Sequence, residues 1–197
     1  KEMLSLKKSL NILRKTDALL EGHFVLSSGL HSSKYVQCAK LLSYPHLAEK
    51  ICKSLARKIK KNFSKFDLIL SPAMGGIIIG YEIGRILKKE TIFCERVGGK
   101  FTLRRGFKIR KGSKVIIIED VITTGKSSIE CVKLIKKAKA KLVGFASIID
   151  RSNKKNLKIK SKIISHLKID VPVFNKNKIP DSLKHIPITV PGSRFTK

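Results

Sequence analysis

Apolar residues recur at helical spacing in two segments near the start of the chain. The first pattern predicts a helix over about residues 3–20. The second predicts an amphipathic helix opened by Pro45, which suits a first helical turn. A polar, glycine-containing stretch at residues 21–37 separates them and predicts short strands joined by a turn. The apolar positions that carry the two helical patterns are Leu6, Leu10 and Leu13, then Leu47, Ile51, Leu55 and Ile59.

The middle of the chain alternates aliphatic runs with helical patterns. Helical spacing occupies residues 77–87 and returns at Ile129, Val132 and Ile135. The runs between them have few polar interruptions, as expected for strands that helices cover on both faces. We therefore expect an α/β fold whose parallel sheet is flanked by helices. The predicted strands lie in the segments DLILSP, TIFCER, VIIIED and LVGFASIID.

Two stretches lack such patterns. Residues 96–112 contain adjacent glycines and many cations, and they predict a loop. The tail after Arg151 is rich in lysine and carries most of the prolines, which disfavours a long helix and leaves room for an edge strand. Because no internal repeat and no long linker interrupts the chain, we expect one domain over residues 1–197.

Composition favours a protein of the cytoplasm without membrane association. The longest aliphatic runs are far shorter than the roughly 20 apolar residues that span a bilayer. The start, KEMLSLKKSL, lacks the apolar core of a signal peptide. The histidines show no clustering that would favour a catalytic role. The widely spaced cysteines predict buried reduced thiols rather than a zinc site or disulfides, at Cys38, Cys52, Cys94 and Cys131.

The net charge of +29 raises the possibility of nucleic-acid binding. Most cations are scattered in pairs such as Lys60-Lys61 and Lys88-Lys89, and no basic run is interleaved with aromatic residues. This distribution favours a generally lysine-rich surface over a nucleic-acid partner. A basic field of this size would also attract anionic substrates.

The most informative stretch is VIIIEDVITTGKSS, residues 115–128. Its aliphatic strand delivers Glu119 and Asp120 to a carboxyl end, which is where ligands bind in open α/β sheets. Gly125 lets backbone N–H groups approach an anion, and the following helix adds the partial positive charge of its amino terminus. The loop therefore suits a phosphate, and the carboxylates suit sugar hydroxyls or a magnesium ion.

Two other interpretations of this stretch are open. Gly125, Lys126 and Ser127 resemble the end of a Walker A loop, but that motif needs a glycine five positions before Gly125, where Asp120 stands. An ordinary strand-to-helix turn is the second interpretation. Adjacent acids followed by a hydroxyl-rich glycine loop are unusual for a purely structural turn, so both interpretations are disfavoured.

This stretch closely resembles the motif that binds phosphoribosyl pyrophosphate (PRPP) in type I phosphoribosyltransferases. The resemblance implies that family's fold, with a small hood formed by about residues 1–40 and the C-terminal tail. It implies that Glu119 and Asp120 hold the ribose 2′ and 3′ hydroxyls, while the residues after them wrap the 5-phosphate. The implied PRPP-binding residues are Glu119, Asp120, Val121, Ile122, Thr123, Thr124, Gly125, Lys126 and Ser127.

Further stretches resemble the orotate phosphoribosyltransferases within this family, and together they cover nearly the whole chain. The resemblance implies that Arg151 and Thr123 contact orotate and that Val36 and Gln37 line its pocket. A guanidinium binds a carboxylate through two hydrogen bonds, so an arginine suits orotate. A surface cation remains the alternative for Arg151, and simple packing for Val36 and Gln37. The resembling stretches are HFVLSSGLHSSKYVQCAKLL, SPAMGGIIIGYEIGR, ASIIDRS and IPITVPGSR.

The chain departs from the commonest family pattern in two places. Many members have lysine where Ser27 and Gly75 stand, and R-K-x-x-K-x-H in a mobile loop where this chain has Arg96-Val97-Gly98-Gly99-Lys100. ERVGGKFTLRRGF still resembles one branch of the orotate enzymes. A solvated basic hairpin is the alternative for this loop, and which of its cations contacts pyrophosphate is left open. The implied catalytic group comprises Asp120, Arg96, Lys100, Arg104 and Arg105.

The resemblance implies that orotate and PRPP react to give orotidine 5′-monophosphate and pyrophosphate, a step of pyrimidine (UMP) biosynthesis. Magnesium would be held mainly by PRPP, with no direct protein ligand expected. The loop between Val97 and Arg110 would close over the site and reach a neighbouring subunit, so a homodimer is expected. The alternatives are a phosphoribosyltransferase for another base and a PRPP-sensing regulator that binds nucleic acid.

Overall fold

The computed structural model describes residues 3–26, 28–63, 65–153 and 155–191. Its helices are α1 (Leu6–Lys15), α2 (Cys38–Leu42), α3 (Pro45–Asn62), α4 (Gly75–Leu87), α5 (Lys126–Lys137) and α6 (Asp181–Lys184), with a short 3-10 helix at Lys176–Lys178. Its strands are β1 (Leu19–Val25), β2 (His31–Val36), β3 (Leu68–Pro72), β4 (Glu90–Val97), β5 (Lys100–Thr102), β6 (Lys114–Ile122), β7 (Lys141–Asp150), β8 (Ile163–Lys168), β9 (Val173–Phe174) and β10 (Ile188–Thr189). Among the described helices, none is long and apolar enough to cross a bilayer.

The larger sheet has six strands in the order β5-β4-β3-β6-β7-β8. All neighbours are parallel except β5, which runs antiparallel to β4. Strand β6 lies inside the sheet, between β3 and β7. Its residues Val115 to Ile118 are fully buried because helices cover both faces. Ile116 and Ile118 pack in the core cluster shared with α3 and α4, while Val115 and Ile117 pack in the cluster shared with α5. The expected parallel sheet flanked by helices is confirmed.

The smaller sheet joins the two ends of the chain in the order β10-β1-β2-β9. Strands β1 and β2 form an antiparallel pair, as the glycine-containing stretch predicted. Short strands from the tail add to both of its edges, β10 beside β1 and β9 beside β2. The prediction of an edge segment in the tail is thereby confirmed. Ser27 and residues 192–197, which include the end of the IPITVPGSR stretch, lie outside the described residues.

The helix expected over about residues 3–20 is shorter than predicted. It ends at Lys15, because the Thr16 hydroxyl bonds back to the carbonyl oxygens of Ile12 and Leu13 and Asp17 turns into the left-handed region with φ +56°. Strand β1 then starts at Leu19. The second predicted helix is confirmed as α3, which has Pro45 in its first turn.

The sequence predicted a loop throughout residues 96–112, but the first part of this segment forms a hairpin. Gly98 and Gly99 both take positive φ values, +54° and +76°, and form the turn of a hairpin that joins β4 to β5. The hairpin is held partly by Phe101, whose ring is buried under the Arg96 guanidinium, with 4.1 Å between the guanidinium carbon and the ring centroid. In the sequence, this hairpin could have been predicted from the paired glycines flanked by residues with β propensity.

Two of the histidines are closer in space than the sequence suggested. His23 and His31 are both buried in the smaller sheet, where 2.7 Å separates His23 Nε2 from His31 Nδ1. The two histidines pack within the smaller sheet and lie on strands that pair with each other.

All four cysteines are buried and free, which confirms the expected reduced thiols.

His166 on β8 fixes α1 against the larger sheet. Its Nε2 lies 2.8 Å from the Ser9 hydroxyl of α1, and its Nδ1 has no partner among the described residues. The Lys58 ammonium donates to the His166 carbonyl oxygen at 2.8 Å, so a positive charge sits beside the ring. Burial, with a smaller contribution from Lys58, lowers the pKa of His166 from 6.5 to about 4.

We expect acid to destabilise the protein through His166. Between pH 6.5 and 4 the unfolded chain binds a proton at this position that the folded chain does not. The free energy of unfolding should therefore fall as the pH drops through this window, by about 1.4 kcal/mol per pH unit. Urea unfolding from pH 7 to pH 4.5 measures it. In His166→Leu this part of the slope should vanish, whatever its absolute stability, and an unchanged slope would contradict the assignment.

Candidate functional site

The site is built on the carboxyl end of β6, inside the larger sheet. The buried Ile118 anchors the strand, and the next two residues are the partly buried carboxylates Glu119 and Asp120. The backbone N–H of Val121 donates to Asp120 Oδ1 at 2.9 Å. The Ser128 hydroxyl, from the first turn of α5, donates to Glu119 Oε1. Each acid is thus oriented by a neighbour that its strand or the following helix supplies.

Burial weakens the acidity of both carboxyl groups. The pKa of Glu119 rises from 4.5 to about 7, first because of burial; the negative charge of Asp120 adds to the rise and the Ser128 hydrogen bond opposes it. The pKa of Asp120 is also raised by burial, against the hydrogen bond from the Val121 N–H. Two adjacent acids with raised pKa values mark a place where ligand hydroxyls can replace the lost water.

The start of α4 closes one side of this pair. A Cβ added to Gly75 would lie 2.8 Å from both carboxylate oxygens of Asp120, so the backbone of α4 packs directly on that carboxylate. The peptide bond between Ala73 and Met74, just before this contact, is cis. The departure seen at Gly75 in the sequence therefore lies in the site itself.

The loop after Asp120 encloses a small cavity of about 120 Å³. Gly125 has φ +73° and starts α5, and a Cβ there would meet Ile159 at 2.6 Å, so glycine is required on two grounds. The backbone N–H of Lys126 lies 3.3 Å from the Thr124 hydroxyl. The amino terminus of a helix with exposed N–H groups suits a phosphate. The cavity is lined by Glu119, Val121, Ile122, Thr123, Thr124, Gly125, Lys126 and Ser127.

The end of β2 brings the smaller sheet to the same place. The Cys38 thiol lies 3.8 Å from the Asp120 carbonyl oxygen, and burial followed by the Asp120 charge raises its pKa. Gln37, just before it, donates its side-chain amide to the Tyr35 hydroxyl at 3.3 Å. Val36 is buried and packs in the core. Of the two residues expected to line a base pocket, Gln37 is partly exposed, whereas Val36 lies in the core.

Arg151 follows β7, next to the end of β6. Its backbone N–H donates to the carbonyl oxygen of Ile122 at 2.9 Å. Arg151 therefore lies beside Thr123, the residue that follows Ile122. Burial lowers the pKa of Arg151, and the nearby Tyr35 opposes this effect. The arginine therefore lies near both the loop after Asp120 and β2. It neighbours Thr123 through Ile122, and Gln37 through Tyr35.

The loop cations hold other partners in this structure. Arg96 pairs with Glu130 of α5, with 2.8 Å between nitrogen and oxygen. Arg105 and Arg104 both pair with Glu95, at 2.7 and 3.6 Å. Lys100 is exposed on β5. The structure therefore gathers these cations on the β4–β5 hairpin and beside it, but it does not bring them into contact with Glu119 or Asp120.

Sequence reasoning missed several residues of the site. Ser128 ends the hydroxyl-rich stretch, but its specific contact with Glu119 needs the turn of α5 to be known. Tyr35 lies within a stretch that was singled out, yet its contact with Gln37 was not expected. Glu95 and Glu130, the partners of the arginines, carried no signal in the sequence. No group of three or more metal-binding side chains occurs in residues 3–191 as far as they are described.

Comparisons with known proteins agree with this geometry. Residues 42–178 match the family model described as phosphoribosyl transferase domain. An orotate phosphoribosyltransferase of Erythrobacter litoralis is 44% identical over 187 residues, covering 94% of this chain and 96% of the relative. Another, of Caldicellulosiruptor saccharolyticus, is 44% identical over 188 residues, covering 95% and 97%.

A solved structure supports the fold independently. The crystal structure of orotate phosphoribosyltransferase from Aeropyrum pernix superposes with a TM-score of 0.66 at 20% identity, covering 81% of this chain and 92% of that one. At this identity the likeness speaks for the fold alone, whereas the curated relatives match over almost their whole length. The chain belongs to the orotate phosphoribosyltransferase family of type I phosphoribosyltransferases.

Proposed function

We propose that this protein transfers ribose 5-phosphate from PRPP to orotate, giving orotidine 5′-monophosphate and pyrophosphate. The observation that carries the proposal is the pair of partly buried carboxyl groups, Glu119 and Asp120, directly before a loop that encloses a small cavity, which Glu119 also lines. Carboxylates that accept from hydroxyls, next to a helix amino terminus that suits an anion, together fit a ribose 5-phosphate. We extend the proposal to residues 1–197 as one domain whose smaller sheet forms the hood.

In the proposed reaction the bond between ribose C1 and pyrophosphate breaks, a bond from C1 to the pyrimidine nitrogen forms, and the proton of that nitrogen passes to pyrophosphate or water. Positive charge develops on C1 in the transition state as the bond to pyrophosphate breaks. The protein therefore needs no covalent nucleophile. The protein contributes by positioning the two substrates and by holding developing charge in a partly buried site. Glu119 and Asp120 hold the ribose hydroxyls, and the loop from Val121 to Ser127 holds the phosphate.

Magnesium fits this site as a companion of PRPP. The paired carboxylates, Glu119 and Asp120, are oxygen ligands of the type that magnesium prefers. Bound magnesium would neutralise charge on the pyrophosphate oxygens. We propose that PRPP supplies most of its ligands, and that Glu119 and Asp120 face the complex.

Orotate would occupy the opening between β2 and the end of β7. Arg151 is placed to bind the orotate carboxylate through two charge-assisted hydrogen bonds. Its partial burial strengthens such a pair, because fewer water molecules compete for the guanidinium. Gln37, held by Tyr35, and Thr123 offer hydrogen-bonding groups for the ring. The carboxylate is thus the feature that separates orotate from uracil.

The loop cations must exchange partners to act on pyrophosphate. Exposed ion pairs such as Arg105–Glu95 contribute about 0–1 kcal/mol, so a pyrophosphate carrying several charges competes well for the arginines. Glycines at the hairpin turn and at Gly106 give the segment the freedom to move. We propose that this segment closes over the site when PRPP binds and excludes water from it.

The exposed face of α4 supports a homodimer. Met74, Ile78 and Tyr81 are 83%, 56% and 67% exposed, although each is a large apolar side chain. Beside them α3 and α4 border a surface cavity of about 450 Å³. Exposed apolar groups in one patch are typical of subunit interfaces. Because this face adjoins Gly75, a second copy bound there would bring its own loop close to the site.

A panel of bases tests the proposed function. With PRPP and magnesium, near-ultraviolet absorbance of orotate should fall, and pyrophosphate should appear in equal amount. Uracil, which lacks the carboxylate, should be used with kcat/KM at least about 10³-fold lower. Arg151→Gln should narrow that preference, while the exposed control Lys176→Gln should keep it. Turnover of a purine instead would contradict the orotate assignment, and no turnover with any base would favour a PRPP-sensing regulator.

We expect Ser128→Ala to change the pH dependence of PRPP use. Glu119 must be ionised to accept hydrogen bonds from ribose, so kcat/KM for PRPP should fall as pH drops through about 7. Removing the Ser128 hydroxyl removes a hydrogen bond that lowers the pKa of Glu119. The acidic limb of the profile should therefore move to higher pH. Because PRPP itself titrates, the comparison is with wild type and with Ser43→Ala, and coincident profiles would contradict the role.

Mixed dimers test whether the loop acts on the neighbouring site. Asp120→Asn should lower kcat/KM by roughly 10²-fold, about 2.7 kcal/mol of transition-state binding, and Arg105→Ala should also be impaired. Co-refolded chains should regain activity, because roughly a quarter of all sites then combine an intact Asp120 with a partner's Arg105.

The control for this mixture is the double variant Asp120→Asn, Arg105→Ala. Mixed with Arg105→Ala under the same conditions, it offers no intact Arg105 to any site and should restore nothing. Equal activity of the two mixtures would mean that Arg105 acts within its own subunit or has no role in the reaction.

A further inference from the structure

The end of the larger sheet that lies opposite Glu119 and Asp120 has a composition of its own. Strands β3, β4, β6, β7 and β8 are parallel, so all five begin at this end. We call the exposed lysines at or just before the first residue of each of these five strands the amino edge. The amino edge consists of Lys65, Lys88, Lys89, Lys111, Lys114, Lys139, Lys141, Lys160 and Lys162.

Like charges are adjacent along the amino edge. Lys114 and Lys141 are direct register partners on neighbouring strands, an arrangement that is destabilising in isolation. Asp67 and Glu90 are the carboxylates described at the same strand starts. Asp67 accepts a hydrogen bond from the Lys114 backbone N–H at 2.8 Å, and Glu90 lies 3.9 Å from Arg110.

Acidic partners for these lysines are absent within the structure as far as it is described. No ion pair involves a lysine of the amino edge across residues 3–26, 28–63, 65–153 and 155–191. Several acids elsewhere do form ion pairs, for example Glu82 with Arg85 and Glu130 with Arg96. Part of the net charge of +29 is thus concentrated, without compensation, on one face.

The spacing of the amino edge suits a linear polyanion. Neighbouring strands lie about 4.8 Å apart, so five strands spread their lysines across about 20 Å. A single small anion needs donors that converge on one point, whereas these lysines form a row along the sheet. Phosphates that follow one another along a nucleic-acid strand match such a row.

A cavity of about 620 Å³ adjoins this row at the ends of α3 and α4. Its apolar part includes Phe63 and Phe66, and the Lys89 ammonium lies 5.3 Å from the Phe66 ring centroid. An apolar floor with a cationic rim is suited to an unstacked base whose phosphates remain outside. The cavity is lined by Lys60, Phe63, Lys65, Phe66, Asp67, Ile86, Leu87, Lys88 and Lys89.

We propose that the amino edge binds single-stranded nucleic acid, with phosphates along the lysine row and a base in the adjoining cavity. An anionic membrane is the weaker fit, because none of the exposed large apolar side chains described lies on this face to insert between lipids. This surface is remote from Glu119 and Asp120 along the strands. The inference therefore stands or fails independently of phosphoribosyl transfer.

Fluorescence anisotropy with a labelled oligouridylate roughly 20 nucleotides long tests the proposal, titrated at several salt concentrations. The test variant is Lys114→Gln, Lys141→Gln, Lys162→Gln. The matched control, Lys7→Gln, Lys8→Gln, Lys176→Gln, removes the same charge from exposed positions elsewhere. The test variant should bind at least about 10-fold more weakly, and the slope of log K against log salt should shrink by about 2, as expected for three lost phosphate contacts.

The control variant should bind within about twofold of wild type, and both variants should keep wild-type turnover of orotate. Equal weakening in the two variants would overturn the proposal in favour of general charge attraction. Inorganic polyphosphate of matched length should bind more weakly than the oligonucleotide, since it offers no base to the cavity. Equal or tighter binding of polyphosphate, tighter binding to phosphatidylserine vesicles than to the oligonucleotide, or no binding by wild type would also overturn it.

Discussion

The desolvation of two adjacent carboxyl groups at the end of β6 is the constraint on which the rest of the site depends. Placing Glu119 and Asp120 behind a fully buried aliphatic run withdraws them from water, and their pKa values rise accordingly. Such a pair is stable when nearby donors orient it, as Ser128 and the Val121 N–H do here. In the proposed complex the ribose hydroxyls donate to the same carboxylates, which would link binding energy to the position of the reacting carbon.

The arginines on and beside the β4–β5 hairpin form ion pairs with nearby glutamates. In this structure their partners are Glu95 and Glu130. Glu130 belongs to the helix that follows the loop after Asp120, so the hairpin and that loop share one support. In the proposed reaction a multiply charged ligand draws the arginines away from these partners at little cost, because exposed ion pairs are weak. The same helix thus organises binding and the proposed closure.

Much of the fold was readable because its signals are local. The run VIIIED predicts a strand covered on both faces, and Pro45 with the spacing after it predicts α3. The end of α1 was not readable, because it depends on the hydroxyl of Thr16 and the left-handed turn at Asp17 rather than on apolar spacing. The hairpin after Arg96 was missed because its second strand, β5, is short and lies among many cations. The buried side chain of β5 is Phe101.

The site divides in the same way. The carboxylates and the phosphate loop are contiguous in sequence, so residue chemistry alone located them. Contacts between distant segments, such as Gly75 with Asp120 and Cys38 with the Asp120 carbonyl, needed the fold. The roles of Arg151, Gln37 and the loop cations stay predictions, since they concern ligands and a second subunit.

A crystal structure of the protein with PRPP and magnesium tests the central claim most directly. We expect ribose 2′ and 3′ hydroxyls within hydrogen-bonding distance of Glu119 and Asp120, with the 5-phosphate enclosed by residues 121–127. A PRPP molecule bound elsewhere, or a 5-phosphate outside that loop while the carboxylates face solvent, would contradict it.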